Sequence, residues 1–286
     1  MPIRLNTEFV RPATMAEQTN QLGYTGEVAS GTRSDNPVIA KPSGDCCLQG
    51  TLHEGNPRGT KTTVAGVETY VVEPRKETAN GHILLYFPDV YGFFINGFLI
   101  MDAFADAGYH VLGLDYFRGD PITKYNRQSP DFDFDHWLKE KMAFSDPAVP
   151  KWIDEVKSKY GGPGTKFACV GYCYGAPYVC DQLAAGGSCT AGAFAHPAFL
   201  KESHFYNLQK PLFLSCSEID HTFPNEFRNR AVDIMQAEQK RFQVQLFQGV
   251  AHGFALRGNP EVPYERYTKE QSVRAIVAWF DFWLSQ

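Results

Sequence analysis

With 286 residues, 43% hydrophobic and 14% aromatic, the chain carries enough apolar surface to bury one large core. Its net charge of −5, with no Lys/Arg run and no basic stripe, excludes the electrostatic footprint of a nucleic-acid binder and leaves small molecules as the expected partners. No apolar run approaches the roughly 18 residues of a membrane span, and the opening MPIRLNTEFVRPATMAEQ lacks the apolar stretch of a signal peptide, so a cytoplasmic location is expected.

Residues 1–45 are polar and turn-rich without a sustained period and are expected to form an extension ahead of one domain over 46–286. Seven scattered cysteines, an odd number, fit reduced thiols better than a disulfide framework. Cys46 and Cys47 are neighbours, and adjacent Cα atoms at about 3.8 Å fall short of the roughly 5.5 Å that a disulfide prefers. His53 alone adds too little to make that pair a metal site, and neither metal nor cofactor is expected.

Further along, seven runs read as strands: 67–73, 82–89, 110–116, 166–172, 190–196, 211–217 and 242–249. Several are apolar almost throughout, as strands covered on both faces are. Between them lie segments with helical spacing at 97–108, 148–160, 175–186, 224–240 and 272–286. The alternation predicts an α/β fold with a mostly parallel sheet flanked by helices on both faces. Ligands of such sheets bind beyond the carboxyl ends of the strands, so functional residues should follow the strand runs directly. The segment 119–147 carries Tyr125, Phe132, Phe134, His136, Trp137 and Phe144 among charges, and is long enough for a lid or one wall of a pocket.

Cys173 stands directly after the fourth strand run, between Gly171 and Gly175 in GYCYG. A nucleophile on a tight strand-to-helix turn needs small flanking residues, because the backbone is strained and the helix packs close. A core thiol beside a turn would read the same way. Such an elbow calls for an acid and then a histidine later in the chain, each after a strand. Asp220 follows PLFLSCSEI and His252 follows FQVQLFQGVA, in that order. His252 can take the thiol proton and return one to the leaving group, while Asp220 orients the imidazole. Glu218 competes for the acid's role but lies within the presumed strand and ranks second. The backbone N-H of Tyr174 and that of Val90, in the loop after HILLYFPD, are the expected donors to a developing oxyanion.

The motifs VGYCYGA, SEIDHTFP, AHGFALRG and FPDVYG together resemble those of the dienelactone hydrolase family of α/β-hydrolases, over about residues 45–286; CCLQGTLHEGNPRGT adds a likeness to a fungal-type branch. The resemblance implies an α/β-hydrolase fold and cleavage of an ester or lactone by a Cys-His-Asp set. It also implies that the acid at Asp89, a glutamate in the family, activates the nucleophile when substrate arrives. Arg257, shortly after the histidine, is placed by the same likeness against a substrate carboxylate, and Arg118 is a second candidate. Asp89 as a helix cap and Arg257 as a solvated loop residue are the competing readings. His196 and His221 are expected to be structural or pocket-lining. An acyl-transfer or ring-closing catalyst on the same residues, and a non-catalytic binder on the same scaffold, are the functional alternatives.

Overall fold

The computed structural model describes residues 36–43, 50–126 and 129–286. Residues 1–35 and 44–45 of the polar stretch, the Cys46-Cys47 pair, and Arg127 and Gln128 of the 119–147 segment lie outside the described residues.

Eight strands form one sheet among the described residues: β1 (Thr60–Val64), β2 (Val67–Val72), β3 (Ile83–Phe87), β4 (His110–Leu114), β5 (Phe167–Tyr172), β6 (Ala191–Ala195), β7 (Leu212–Ile219) and β8 (Phe242–Ala251). Their spatial order is β1-β2-β4-β3-β5-β6-β7-β8. β1 with β2 and β2 with β4 run antiparallel, and every later pairing is parallel. Parallel neighbours need crossovers, and helices supply them. In chain order these are α1 (Ile95–Asp106), α2 (Phe134–Tyr160), α3 (Ala176–Leu183), α4 (Glu202–Tyr206), α5 (Asn225–Ala237), α6 (Phe254–Arg257) and α7 (Pro263–Leu284). This is the α/β-hydrolase fold that the alternation and the motifs predict.

Successive strand residues point to opposite faces. In β3, Ile83, Leu85 and Phe87 join a core with Trp152 of α2, Val179 of α3 and Ile234 of α5. Leu84 and Tyr86 join the opposite core with Phe104 of α1 and Phe280 of α7. All five residues of β3 are buried, which is why ILLYF shows no polar alternation.

Three elements depart from expectation. β1, TKTTV, lies at the sheet edge with its first two residues exposed, and its polar character gives it no apolar run. α2 begins at Phe134, capped by the Asp133 side chain accepting from the His136 N-H, and runs through Pro147 and Pro150 instead of starting near 148. α7 starts at Pro263, where proline suits the first helical turn, nine residues ahead of 272.

The sheet also fixes where a site can form. β3 lies between β4 and β5, so the direction of strand addition reverses there and a crevice opens beyond the carboxyl ends of β3 and β5. Phe87 pairs with Gly171 and Tyr172 with Ala195, which brings the ends of β3, β5 and β6 level.

Candidate active site

Cys173 follows β5 directly and opens a single 3-10 turn, Cys173–Gly175, that feeds α3. Its φ of +48° is a left-handed conformation that a side-chain-bearing residue adopts only when its surroundings hold it. The turn is tight because β3 crosses beneath it: a Cβ on Gly175 would lie 2.3 Å from the Phe87 carbonyl oxygen, and one on Gly171 would lie 2.5 Å from the Gly175 oxygen. Cys173 is fully buried. Its Sγ lies 3.2 Å from the Ser43 hydroxyl, and its carbonyl accepts from the Ala198 N-H at 3.0 Å.

Asp220 is the first residue past β7. The ladder between β7 and β8 shifts register between Ser217 and Ile219, and this irregularity sends Glu218 and Asp220 to different places. Glu218 accepts from the Gly249 N-H at 2.9 Å near the surface. Asp220 Oδ1 lies 2.9 Å from His252 Nδ1 and accepts from the N-H groups of Thr222 and Phe223, each at 3.0 Å; Ser217 Oγ donates to Oδ2 at 3.2 Å. Burial alone would raise the Asp220 carboxyl, but the His252 charge and these hydrogen bonds outweigh it and hold the pKa at about 2. An ionised carboxylate only accepts, so His252 Nδ1 carries the proton towards it and Nε2 becomes the nitrogen that can take another.

β8 delivers His252, whose N-H donates to the Ile219 carbonyl at 2.9 Å and ties the β7 and β8 ends together. The His196 ring, just past β6, stands edge-on 4.9 Å from the His252 ring and 5.7 Å from that of Tyr172, beside the elbow. The ends of β5, β6, β7 and β8 thus converge on one spot.

Val90 and Tyr174, the expected oxyanion donors, are both buried, Tyr174 within the elbow turn itself. The Val90 carbonyl accepts from the Ile122 N-H at 3.1 Å, and the Tyr174 hydroxyl lies 2.7 Å from Ser145 Oγ. Phe117 packs 5.0 Å from the Tyr174 ring, and Trp137 of α2 stacks on Phe117 at 5.6 Å. The 119–147 segment therefore extends the aromatic wall beside the elbow.

The structure pairs two expected site residues with each other: Arg257 Nη1 donates to Asp89 Oδ2, and both side chains are buried. The Asp89 Oδ1 atom accepts from the Tyr91 N-H at 3.0 Å, and the Arg257 guanidinium lies 4.5 Å from the Tyr91 ring centroid. Gly253, at φ +93°, makes room for this arginine, since a Cβ there would lie 2.3 Å from Arg257 Nη2. Arg118 is exposed, with its guanidinium 5.0 Å from the Phe144 ring.

Asp220, His221 and His252 bring one ligand atom each within 4.8 Å of one another, the set among the described residues that could hold a metal. Asp220 Oδ1, however, is already engaged by His252, Thr222 and Phe223. That engagement suits the orientation of an imidazole better than ligation.

The model of the dienelactone hydrolase family matches residues 67–284. The chain belongs to the dienelactone hydrolase family. It is 44% identical to dienlactone hydrolase 1 of Gibberella moniliformis over 256 residues, covering 88% of this chain and 98% of that protein. Dienlactone hydrolase 2 of the same fungus is 40% identical over 253 residues, covering 87% and 98%. A crystal structure of a candidate dienelactone hydrolase from Klebsiella pneumoniae superposes with a TM-score of 0.65 at 14% identity, covering 80% and 98% of the two chains. As a family member the chain is a carboxylic ester hydrolase. No helix among the described residues is long and apolar enough to cross a membrane.

Sequence reasoning missed three residues at this site. Thr222 lies inside SEIDHTFP, and its Oγ1 sits 2.7 Å from Asp220 Oδ1 and 3.1 Å from His252 Nδ1. Asn96 is buried, and its amide donates to the Thr51 and Leu256 carbonyls, tying residue 51 to the α6 turn that carries Arg257. Ser43 sits in a polar stretch with no motif to mark it.

Proposed function

We propose that this hydrolase cleaves esters or lactones by attack of Cys173, with His252 as general base and acid and Asp220 as the group that orients it. The observation carrying the reading is Cys173 in a left-handed elbow at the strand ends where the buried Asp220-His252 pair is also delivered. In the first step the Sγ atom bonds to the carbonyl carbon and its proton passes to His252 Nε2. The carbonyl oxygen then carries the negative charge, and the N-H groups of Tyr174 and Val90 are the donors we assign to it. Collapse breaks the bond to the alkoxy oxygen, which takes the proton from Nε2 and leaves a thioester. Water attacks that thioester with Nε2 as base, and the sulfur departs as the acid is released. From a lactone the released alcohol and acid are one molecule, a hydroxy acid. The scheme requires neither metal nor cofactor.

Asp89 and Arg257 support a substrate that carries a carboxylate. A carboxylate entering the crevice competes with Asp89 for the guanidinium, and a displaced Asp89 becomes free to accept the Cys173 proton and hand it on to His252 Nε2. Asp89 is thereby the activating group and Arg257 the substrate-binding one. Arg118, at the same end of the sheet, is a second positive group for the substrate's distal end. The five cysteines described, all free, fit a reducing cytoplasm.

A turnover screen over aryl esters and small lactones, with and without a carboxylate, tests the reading. We expect turnover by the wild type, a preference for carboxylate-bearing lactones, and no turnover by Cys173→Ala. Undiminished turnover by that variant would remove Cys173 from the mechanism.

A further inference from the structure

Residues 36–43 form a strap that is bonded to the loops around the elbow. The Ile39 and Ala40 N-H groups donate to the Leu200 carbonyl at 2.8 and 2.9 Å, the Phe199 N-H donates to the Lys41 carbonyl at 3.0 Å, and the Lys41 N-H donates to the Thr222 carbonyl at 2.6 Å. A bridge pairs Val38 with Lys201, and the Ser203 N-H donates to the Asn36 side chain at 2.9 Å. The strap is thus fixed both to the loop after β6 and to the Asp220–Phe223 turn. Ile39 and Ala40 are buried, and the strap delivers Ser43, itself 5% exposed, to the Cys173 sulfur.

A hydroxyl 3.2 Å from a sulfur has a different effect on the two forms of the thiol. A neutral thiol is a weak donor and a weak acceptor, so the contact contributes little there. A thiolate is an anion, and a hydroxyl that turns its hydrogen towards it makes a charge-assisted bond roughly twice as strong as a neutral one. In a buried site, where burial penalises the charged form, such a bond decides how much thiolate exists. The same bond weakens again once the sulfur is acylated and its charge is gone.

We propose that Ser43 is a thiolate-stabilising residue of the active site: its hydroxyl donates to Cys173 Sγ and makes the N-terminal strap part of the catalytic machinery. This rests on Cys173 being the nucleophile.

The test is the pH dependence of Cys173 alkylation by iodoacetamide, with the labelled peptide mapped, in the wild type, Ser43→Ala and Ser43→Thr. Loss of the donor should raise the midpoint by about one pH unit, which is a ten-fold loss of thiolate at any pH below it. With an ester substrate, kcat should fall more than KM rises. Threonine, which keeps the hydroxyl, should restore the wild-type midpoint. A role limited to packing would lower the unfolding temperature of Ser43→Ala and leave the midpoint in place, and that result overturns the proposal. Should Ser43→Ala not fold, thiolate absorbance of the wild type against Cys173→Ala, repeated with Ser43→Gly, reads the same midpoint. Turnover surviving in Cys173→Ala overturns the nucleophile itself. An unmoved midpoint in Ser43→Ala with Cys173→Ala inert overturns the role of Ser43 alone.

Discussion

Glu218 and Asp220 are two residues apart, and an uninterrupted strand would point both to one face. The register shift between Ser217 and Ile219 separates them, leaving Glu218 on the Gly249 amide and Asp220 on His252. Asp220→Asn should therefore cost a factor on the order of a hundred or more in kcat by loss of imidazole orientation, while Glu218→Gln should cost less than ten-fold. Steady-state kinetics of the two variants with one aryl ester decides this, and a crippled Glu218→Gln would reassign the acid. The same residue predicts an acid limb in stability. A carboxyl near 2 in the folded chain and near 3.9 unfolded stabilises fully above about pH 4, and that stabilisation is lost as pH falls towards 2. Denaturant titrations should show an advantage of wild type over Asp220→Asn on the order of 2 kcal/mol at pH 7 that vanishes towards pH 2. Asp220 and His252 could be found in the sequence because each follows an apolar strand run in the order the elbow demands. The Asp89-Arg257 pair could not, since 168 residues separate the two and no period links them.

Among the elements, the elbow has the narrowest tolerance. Gly175 passes the β3 backbone so closely that a methyl group cannot fit without moving Phe87 or the turn. Gly175→Ala should destabilise by about 1–3 kcal/mol through overpacking and should shift Cys173, so kcat falls even in the folded fraction. Thermal unfolding and kinetics on the same preparation separate the two effects, and a wild-type unfolding temperature with full activity would contradict the close approach. The glycines around Cys173 make this element the most legible in the chain. α2 was the least legible, because Pro147 and Pro150 mark a break by local rules while packing overrides them. Trp152, Ile153 and Val156 bury its later turns against the sheet, Ser145 binds Tyr174, and Asp146 binds Tyr178. The strap was equally hidden: its partners are backbone groups of residues 199–203 and 222, and backbone pairing of this kind leaves no trace in side-chain pattern.

At the scale of the molecule, the sheet order puts the strand ends bearing Asp89, Cys173, His196, Asp220 and His252 along one edge, and this much followed from the alternation of apolar strands and helices. What alternation could not convey is that these side chains are all buried, Cys173 included. A buried thiol whose proposed activating acid is already engaged by arginine should be quiet at rest. Iodoacetamide near pH 7 is expected to label Cys173 slowly in the free protein and faster with an inert carboxylate-bearing analogue present, and Asp89→Asn should abolish the acceleration. Rapid labelling of the free protein would instead point to a standing thiolate-imidazolium pair. Intact-protein mass spectrometry of the enzyme quenched during turnover of an activated aryl ester, followed by peptide mapping, tests whether Cys173 is acylated. One acyl group per chain is expected, on Cys173, released by hydroxylamine and lacking in Cys173→Ala. An acyl group on any other residue, or turnover with none formed in a chain whose Cys173 has been replaced, would contradict it.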